Sequence, residues 1–594
     1  MVDHTRGTAP TPKVARRART SRLAQVVPSL TWMRAYQRRM FPGDLMAGIV
    51  VAIMLVPQSM AYALLAGLPA QVGLYASIVP LVIYGLLGTS RELAVGPVAM
   101  VSLLVASGLS GYAEVASAEY VQLALTLSAL IATFQILLGL VRAGFLINFL
   151  SHPVLVGFTS AAAIIIGASQ LRHLMGVEIP RTAHVYETLV LLWGEITNIN
   201  AVTLGLGVLG IVVLVLFKRV LPGLLERLRL PQSLIVPVTR AGPLVIVLIG
   251  TLLVWRFGLD EAAGVAIVGA VPRGLPPLTT PQFDLEVWRQ LLPTALAISI
   301  VGYMESIAMA RSLASRNRQR VDANQELIAL GAANFGAAFT GGFPVTGGLS
   351  RSVVNSEAGA TSGLASMITA GLIALTVLFL TPLFFYLPNA VLAAIILVAV
   401  ANLIDVKSFR ETWAYSRMEG TSMLITFVGV LIFGIEIGIL IGAVAALSFH
   451  LLRTSRPHMA VVGRIGESEH FRNHLRHHVQ RHEQVVVVRV DESLYFANAQ
   501  YLEEYLINVA ADHPNMTCLV LACGAVNHID TSALHMLENL LHELRDAKVN
   551  LCLAEVKGPV MDSLKETAFI EEIGEERIFL SVHQAMQRLT APVQ

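Results

Sequence analysis

Apolar runs separated by short polar breaks occupy the chain from Asp44 to about Leu452. They predict helical segments near 44–64, 68–87, 96–109, 119–141, 150–171, 201–220, 241–257, 289–310, 324–340, 348–358, 362–383, 386–402, 420–434 and 436–452. A helix needs about 20 residues to cross the hydrocarbon of a bilayer. Two of the fourteen fall well short: 96–109 and 348–358, each third in a set of seven. Both follow Gly/Pro breaks, in AVGPVAMVSLL from Ala94 and PVTGGLSRSVV from Pro344. Seven is odd, so a duplicated unit of that size is inverted in the membrane, and interrupted segments at matching places of inverted halves point to a midplane site. The expected fold is a polytopic α-helical membrane protein of 14 transmembrane segments in a 7+7 inverted repeat. Repeat one lies at about 44–257 and repeat two at about 289–452.

The pattern changes near Val461. VVVVRV at 485–490, MTCLVLACGAV at 516–526 and VNLCLAEV at 549–556 read as buried strands, and TSALHMLENLLHELRDAK at 531–548 reads as an amphipathic helix. Strand and helix in alternation predict a small soluble α/β domain at 461–594 with one sheet.

Composition agrees with this division. Of 594 residues, 55% are hydrophobic and 14% charged, with mean hydropathy +0.66, whereas soluble domains carry about 25% charge. Residues 1–43 hold nine Lys and Arg against one acid, Asp3, and have no apolar run of signal-peptide length. An organelle transit peptide has similar composition; the favoured reading is a basic cytoplasmic tail. With the N-terminus inside, Arg91, Arg142, the 218–229 cluster, the 311–320 cluster and the 407–417 cluster all fall on cytoplasmic turns. That places both termini in the cytoplasm and the protein in the plasma (inner) membrane.

Three cysteines, Cys518, Cys523 and Cys552, match neither a zinc site nor CxxC and fit a reduced compartment. His470, His474, His478 and His482 recur every four residues, which on a helix would make a metal-friendly stripe. Arginines interleave and a strand follows, so no metal is assigned. No nucleophile elbow, phosphate loop or zinc signature occurs, and neither an enzyme, a cofactor nor a nucleic-acid partner is expected.

The candidate chemistry centres on Phe339–Gly359, FTGGFPVTGGLSRSVVNSEAG, where broken backbone and a fixed cation fall between apolar runs. Unpaired amides and charges are costly in hydrocarbon and need a cavity or protein around them. Two opposed helix N-termini supply roughly half a positive charge each, and Arg351 adds a permanent one, so a small anion would balance the site. The competing reading is a glycine-lined packing contact with Arg351 snorkelling outward. Glu305 lies in the apolar run ALAISIVGYMESIAMAR. A carboxylate there costs about 2.5–3.5 kcal/mol when charged, so it should face the interior and exchange a proton readily; the alternative is a structural acid or a partner for Arg351. In the first span Pro57 is expected to break the helix beside Gln58, with Tyr62 one turn on. Both could line a cavity, or be a satisfied polar pair in a kinked span.

Four ordered stretches together resemble the SulP anion-transporter family, which includes sulfate permeases and prestin. They are AGIVVAIMLVPQSMAYALLAGLPAQVGLYAS, GTSRELAVGPVAMVSL, VDANQELIALGAANFGAAFTGGFPVTGGLSRSVVN and VDESLYFANAQYLEEYL. The resemblance implies core and gate subdomains, a cytoplasmic STAS domain and a homodimer. By motif it puts Gln58, Tyr62, Gly96, Val98, Gly348, Ser350 and Arg351 at the substrate. Glu305 matches an acid tied to cation coupling, with H+ suspected and Na+ the alternative. Asp530-Thr531 in NHIDTSALHML matches a regulatory phosphosite, although Ala533 replaces the usual glycine; Asp530 as a helix N-cap is the competing reading. The implied function is proton-coupled sulfate uptake by alternating access. Bicarbonate or dicarboxylate transport, an uncoupled exchanger or channel, and a membrane-anchored signalling protein are the alternatives. Membrane lipid, and a cytoplasmic protein engaged through the STAS domain, are the further partners implied.

Overall fold

The computed structural model describes residues 27–145, 151–180, 182, 185–229, 231–316 and 319–591. Residues 1–26 of the expected basic tail, and Arg318, lie outside them. The chain forms two compact units, Met1–Ala443 and Val444–Gln594.

Every expected segment overlaps helix, the last of them, Ile435–Ser455, running across the boundary between the units. The helices that matter most below are α1 (Phe41–Leu65), α2 (Ala99–Leu109), α3 (Leu285–Arg316), α4 (Ala323–Phe339), α5 (Leu349–Glu357) and α6 (Asn389–Val400). Among the described residues nine helices are long and apolar enough to cross a membrane, while α2 and Gly242–Phe257 are shorter apolar helices. Local signals explain several boundaries. Asp322 caps α4 by accepting from the backbone N–H groups of Asn324 and Gln325, and Ser117 caps Ala118–Leu140 in the same way through Tyr120. Gly176, at φ +68°, ends His152–Met175 in the left-handed conformation.

Two expectations are corrected. Pro57 does not break the first span: α1 runs through it without interruption. Proline removes one intrahelical hydrogen bond, but nearly all of α1 from Ala47 onward is buried, and packing holds the turns on both sides of the defect. The break falls in the second span, which is two helices, Ala70–Tyr75 and Val79–Leu87, the latter with Pro80 in its first turn. Close packing sets that corner. A Cβ on Gly73 would lie 1.9 Å from the Ser59 carbonyl oxygen, so only glycine lets Ala70–Tyr75 fold back against α1.

The two short segments meet through backbone pairing. β1 (Val95–Gly96) and β2 (Thr346–Gly347) form an antiparallel ladder with Val95 opposite Gly347 and Gly96 opposite Thr346. Further ties between the halves are made by two buried carboxylates. Asp44 Oδ1 accepts from Thr361 N, Thr361 Oγ1 and Ser362 N, and its Oδ2 accepts from Ser362 Oγ at 2.7 Å. Glu326 repeats the device: Oε1 accepts from Thr89 N, Thr89 Oγ1 and Ser90 N, and Oε2 from Tyr84 Oη at 2.7 Å. In each case an acid from one half grips a Thr-Ser pair in the other. Four donors per carboxylate satisfy the charge, which is what allows both side chains to be fully buried.

The second unit carries a six-stranded sheet of order β4-β3-β5-β6-β7-β8. Its strands are β3 (Met459–Arg464), β4 (Phe471–Asn473), β5 (Val485–Val490), β6 (Cys518–Ala522), β7 (Asn550–Ala554) and β8 (Ile578–Phe579). β5 to β8 run parallel, and β3 joins β5 and β4 antiparallel. Parallel strands covered on both faces need apolar residues at successive positions, as VVVVRV and CLVLA provide. One face packs against the amphipathic helix α7 (Thr531–Asp546), and the other carries the short helix α8 (Val582–Leu589). The histidine-rich stretch is not helical: Phe471–Asn473 is strand, and Gln480 bridges to Arg464. His470, His474, His478 and His482 therefore do not share a face.

Candidate functional site

The β1–β2 ladder brings the start of α2 and the start of α5 together. Val98 and Gly348 are the N-cap residues of these helices, both extended, and neither helix has a side-chain cap. The first intrahelical bonds are donated by Ser102 N to Val98 O and by Ser352 N to Gly348 O. The N–H groups ahead of them are left for something else to satisfy.

Polar side chains behind the ladder hold it in place. Asn334 of α4 accepts from Val345 N at 2.8 Å and donates to Val345 O and to Gln135 Oε1. Ser306 of α3 accepts from Gly347 N and shares a proton with Thr346 Oγ1. Ser352 accepts from Ala94 N, and Asn355 donates to Glu92 O. These bonds anchor the broken backbone to α3, α4 and α5 and leave its other side open.

That side faces a cavity of about 110 Å³, lined by Gln58 and Tyr62 of α1, Val98 to Met100, Glu305 of α3, Gly348 to Arg351, and the segment 399–403 at the end of α6. Arg351 is 2% exposed. Its Nη1 donates to Pro97 O at 2.5 Å, while Nε and Nη2 are buried with no hydrogen-bond partner. A guanidinium fully out of water with two groups of donors unused is an unfinished interaction, costly unless a ligand completes it. Glu305 Oε2 is likewise covered and unpartnered, so the acid is not spent on a hydrogen-bond network of the kind that holds Glu326. Gln58 and Tyr62, each 7% exposed, line the same space, as does the exposed Ser350.

The backbone is shaped around the guanidinium. A Cβ on Gly348 would lie 2.7 Å from Arg351 Nη2 and 2.9 Å from Cζ, so any side chain there displaces the cation. Gly96, at φ +152°, lies behind the guanidinium rather than on the cavity wall, and a Cβ there would be 3.4 Å from Nη2. A larger hollow of about 430 Å³ shares Gln58, Ser350, Ala399 and Asn402 with the cavity. Lys218 and Arg240 line it; Lys218 donates to Asn402, and Arg240 pairs with Glu357 at 3.1 Å.

Of the residues singled out from sequence, Gln58, Tyr62, Val98, Glu305, Gly348, Ser350 and Arg351 converge on one cavity. Gly96 stands just behind it. Thr531 belongs to the other unit, exposed in the first turn of α7, where Asp530 caps the helix by accepting from Ala533 N at 2.9 Å and accepts from Phe496 N as well. Sequence reasoning missed the supporting residues Gln135, Ser306, Asn334 and Thr346 and the carboxylates Asp44 and Glu326. Asn334 and Gln135 carried a usable signal, since an amide inside an apolar span needs a buried partner.

Comparison with known proteins decides the family. Residues 41–426 match the model of the sulfate permease family, and residues 477–585 match that of the STAS domain. The chain belongs to the sulfate permease family. It is 37% identical over 575 residues to probable sulfate transporter 4.2 of Arabidopsis thaliana, covering 95% of this chain and 83% of that protein. It is 36% identical to the Arabidopsis chloroplastic sulfate transporter 4.1, covering 97% and 84%. Among solved structures, the murine Solute Carrier 26 family member A9 anion transporter in its inward-facing state matches with TM-score 0.88 at 26% identity, covering 98% of this chain and 97% of that one. The helical membrane fold and the C-terminal STAS domain are thus those of this family.

Proposed function

We propose that this chain is a secondary active transporter of small inorganic anions, with sulfate the favoured substrate and proton entry as the coupled reaction. One observation carries the reading: Arg351 is buried with Nε and Nη2 unpartnered, in a small cavity that two uncapped helix ends also face. The sulfate-transporter relatives support the choice of substrate.

Charge accounting supports the coupling. Arg351 contributes one positive charge and the two helix termini roughly half each, against one negative charge when Glu305 is ionised. The site then sums to about +1 with Glu305 charged and about +2 with it protonated. A dianion is matched only by the protonated state, so proton and sulfate favour one another's binding, reciprocally. The sign follows: lowering pH on the loading side strengthens sulfate binding, and release where pH is higher frees both. Ser350, Gln58 and Tyr62 would add neutral donors, and Gly348 would keep the guanidinium forward. The likeness to an inward-facing relative supports reading the larger hollow, with Lys218 and Arg240, as an opening to the cytoplasm. Within this proposal residues 44–452 form the transport domain, with its two seven-segment repeats rocking against each other, and residues 461–594 form a cytoplasmic STAS domain open to phosphorylation at Thr531. The assembly would be a homodimer in the plasma membrane.

The test is labelled sulfate uptake into proteoliposomes under an imposed proton gradient, alongside bicarbonate and dicarboxylate, and with sodium replacing the proton gradient. Uptake driven by protons and lost on Arg351→Gln supports the reading. Uptake indifferent to both gradients would instead make the protein an uncoupled exchanger or channel.

A further inference from the structure

The three cysteines of the STAS domain are not equivalent. Cys518 on β6 and Cys552 on β7 stand on neighbouring parallel strands, with Cys518 opposite Asn550 and Val520 opposite Cys552. Strand side chains alternate faces, so the two cysteines lie diagonally on one face of the sheet. Their Sγ atoms are 3.1 Å apart, and both side chains are buried. Cys523 belongs to the cluster on the opposite face, its sulfur directed at Leu521 O.

The surroundings of the pair leave a route for opening. β8 pairs with β7 only at Leu553 and Ala554, so β7 at Asn550–Cys552 is a free edge of the sheet. The covering layer is the eight-residue helix α8, whose Val582 and Ala585 pack in the same cluster as both sulfurs. A helix of eight residues that packs through few buried side chains is an element that can open by local unfolding. The hydrogen bond between the sulfurs, aided by the Arg577 guanidinium, holds the Cys552 thiol below its ordinary value, whereas burial pushes Cys523 up to about 12. Thiolate character governs thiol oxidation, which favours Cys552 over Cys523 as the attacking sulfur, while the same hydrogen bond pushes Cys518 up and leaves it the protonated partner.

We propose that Cys518 and Cys552 are a reversible redox pair, switching between dithiol and disulfide with a hydroperoxide as oxidant. The Cys552 thiolate attacks the peroxide oxygen and the O–O bond breaks, giving a sulfenic acid and hydroxide or alkoxide, which takes up the proton lost from Cys552. The Cys518 sulfur then attacks the sulfenyl sulfur, its own proton leaving with the hydroxyl as water. Two electrons pass from the two thiols to the peroxide, and a dithiol reductant reverses the change. The proposal rests on the STAS sheet alone and is independent of the transport reading.

The test uses the full-length protein in detergent. It is exposed to hydrogen peroxide, denatured, alkylated and mapped by mass spectrometry, with Cys523→Ala as a parallel sample that makes the assignment unambiguous. The expected result is a fall from three alkylatable cysteines to one, a Cys518–Cys552 cross-linked peptide two hydrogens lighter, and full recovery with dithiothreitol. In Cys518→Ser, a dimedone adduct should accumulate on Cys552. Three free thiols after peroxide treatment that fully oxidises a reference dithiol, or sulfinic acid on single cysteines without the cross-link, overturns the proposal. Both results are read on wild-type protein, so they stand even if the serine variant fails to fold.

Discussion

Buried charge is handled in two opposite ways within the membrane unit. Asp44 and Glu326 are fully enclosed and each accepts four hydrogen bonds, whereas Arg351 is enclosed and Glu305 half-buried, each with covered polar atoms left unused. Satisfied carboxylates fix the architecture by tying one half of the unit to the other. Unsatisfied groups around a cavity hold interactions in reserve for a ligand. The same cost of desolvating a charge therefore separates structural ions from functional ones, and the discriminator is the count of partners, not burial.

The strongest way to break this comparison is to remove its functional cation. Arg351→Gln should lower sulfate flux in proteoliposomes by about 100-fold or more, roughly 2.7 kcal/mol, with the melting temperature nearly unchanged. A large loss of stability with flux retained would class Arg351 with the structural ions. Glu326→Ala should show the reverse. It strands Tyr84 Oη and the Thr89 and Ser90 donors, each costing about 1–3 kcal/mol when buried unpaired, so thermal unfolding in detergent should drop sharply. Glu305→Gln mimics the protonated state: sulfate binding should persist, while the acceleration of uptake by an inward proton gradient disappears. Uptake that still tracks the gradient would remove Glu305 from the coupling step. Gly348→Ala tests geometry alone, because its Cβ must push the guanidinium aside; a rise of about 10-fold in the sulfate dissociation constant, roughly 1.4 kcal/mol, is expected from isothermal titration. The smallest effect lies outside the membrane unit. Asp530→Ala removes the α7 cap and should cost about 1 kcal/mol in STAS-domain unfolding, whereas Thr531→Ala, at an exposed position, should stay within about 0.5 kcal/mol.

The two units differed in how much could be read from the chain. In the STAS domain the strands at 485–490, 518–522 and 550–554 and the helix at 531–546 follow directly from periodicity, because a sheet covered on both faces demands continuous apolar runs. In the membrane unit, hydropathy located the long apolar helices but missed Val185–Gly194, Gln232–Arg240 and Val406–Tyr415 and misjudged the internal breaks. Proline 57 proved compatible with a continuous helix, and the real interruption at Ala76–Ile78 was set by close packing of Gly73 on Ser59, a contact between residues that no local pattern announces.

The sequence by itself determined the membrane character, the long apolar helices and the interrupted pair, and it named the candidate residues, since these rest on composition, run length and the cost of charge in hydrocarbon. Only the tertiary structure decided that Gln58, Tyr62, Val98, Glu305, Ser350 and Arg351 share one cavity. It alone distinguished Glu305 from Glu326, two acids in similar apolar contexts. Their difference lies in hydrogen-bond partners more than two hundred residues away for Glu326 and in the lack of a partner for Glu305 Oε2. Pairing at that distance depends on how the chain closes on itself, and chain closure is what a linear pattern does not encode.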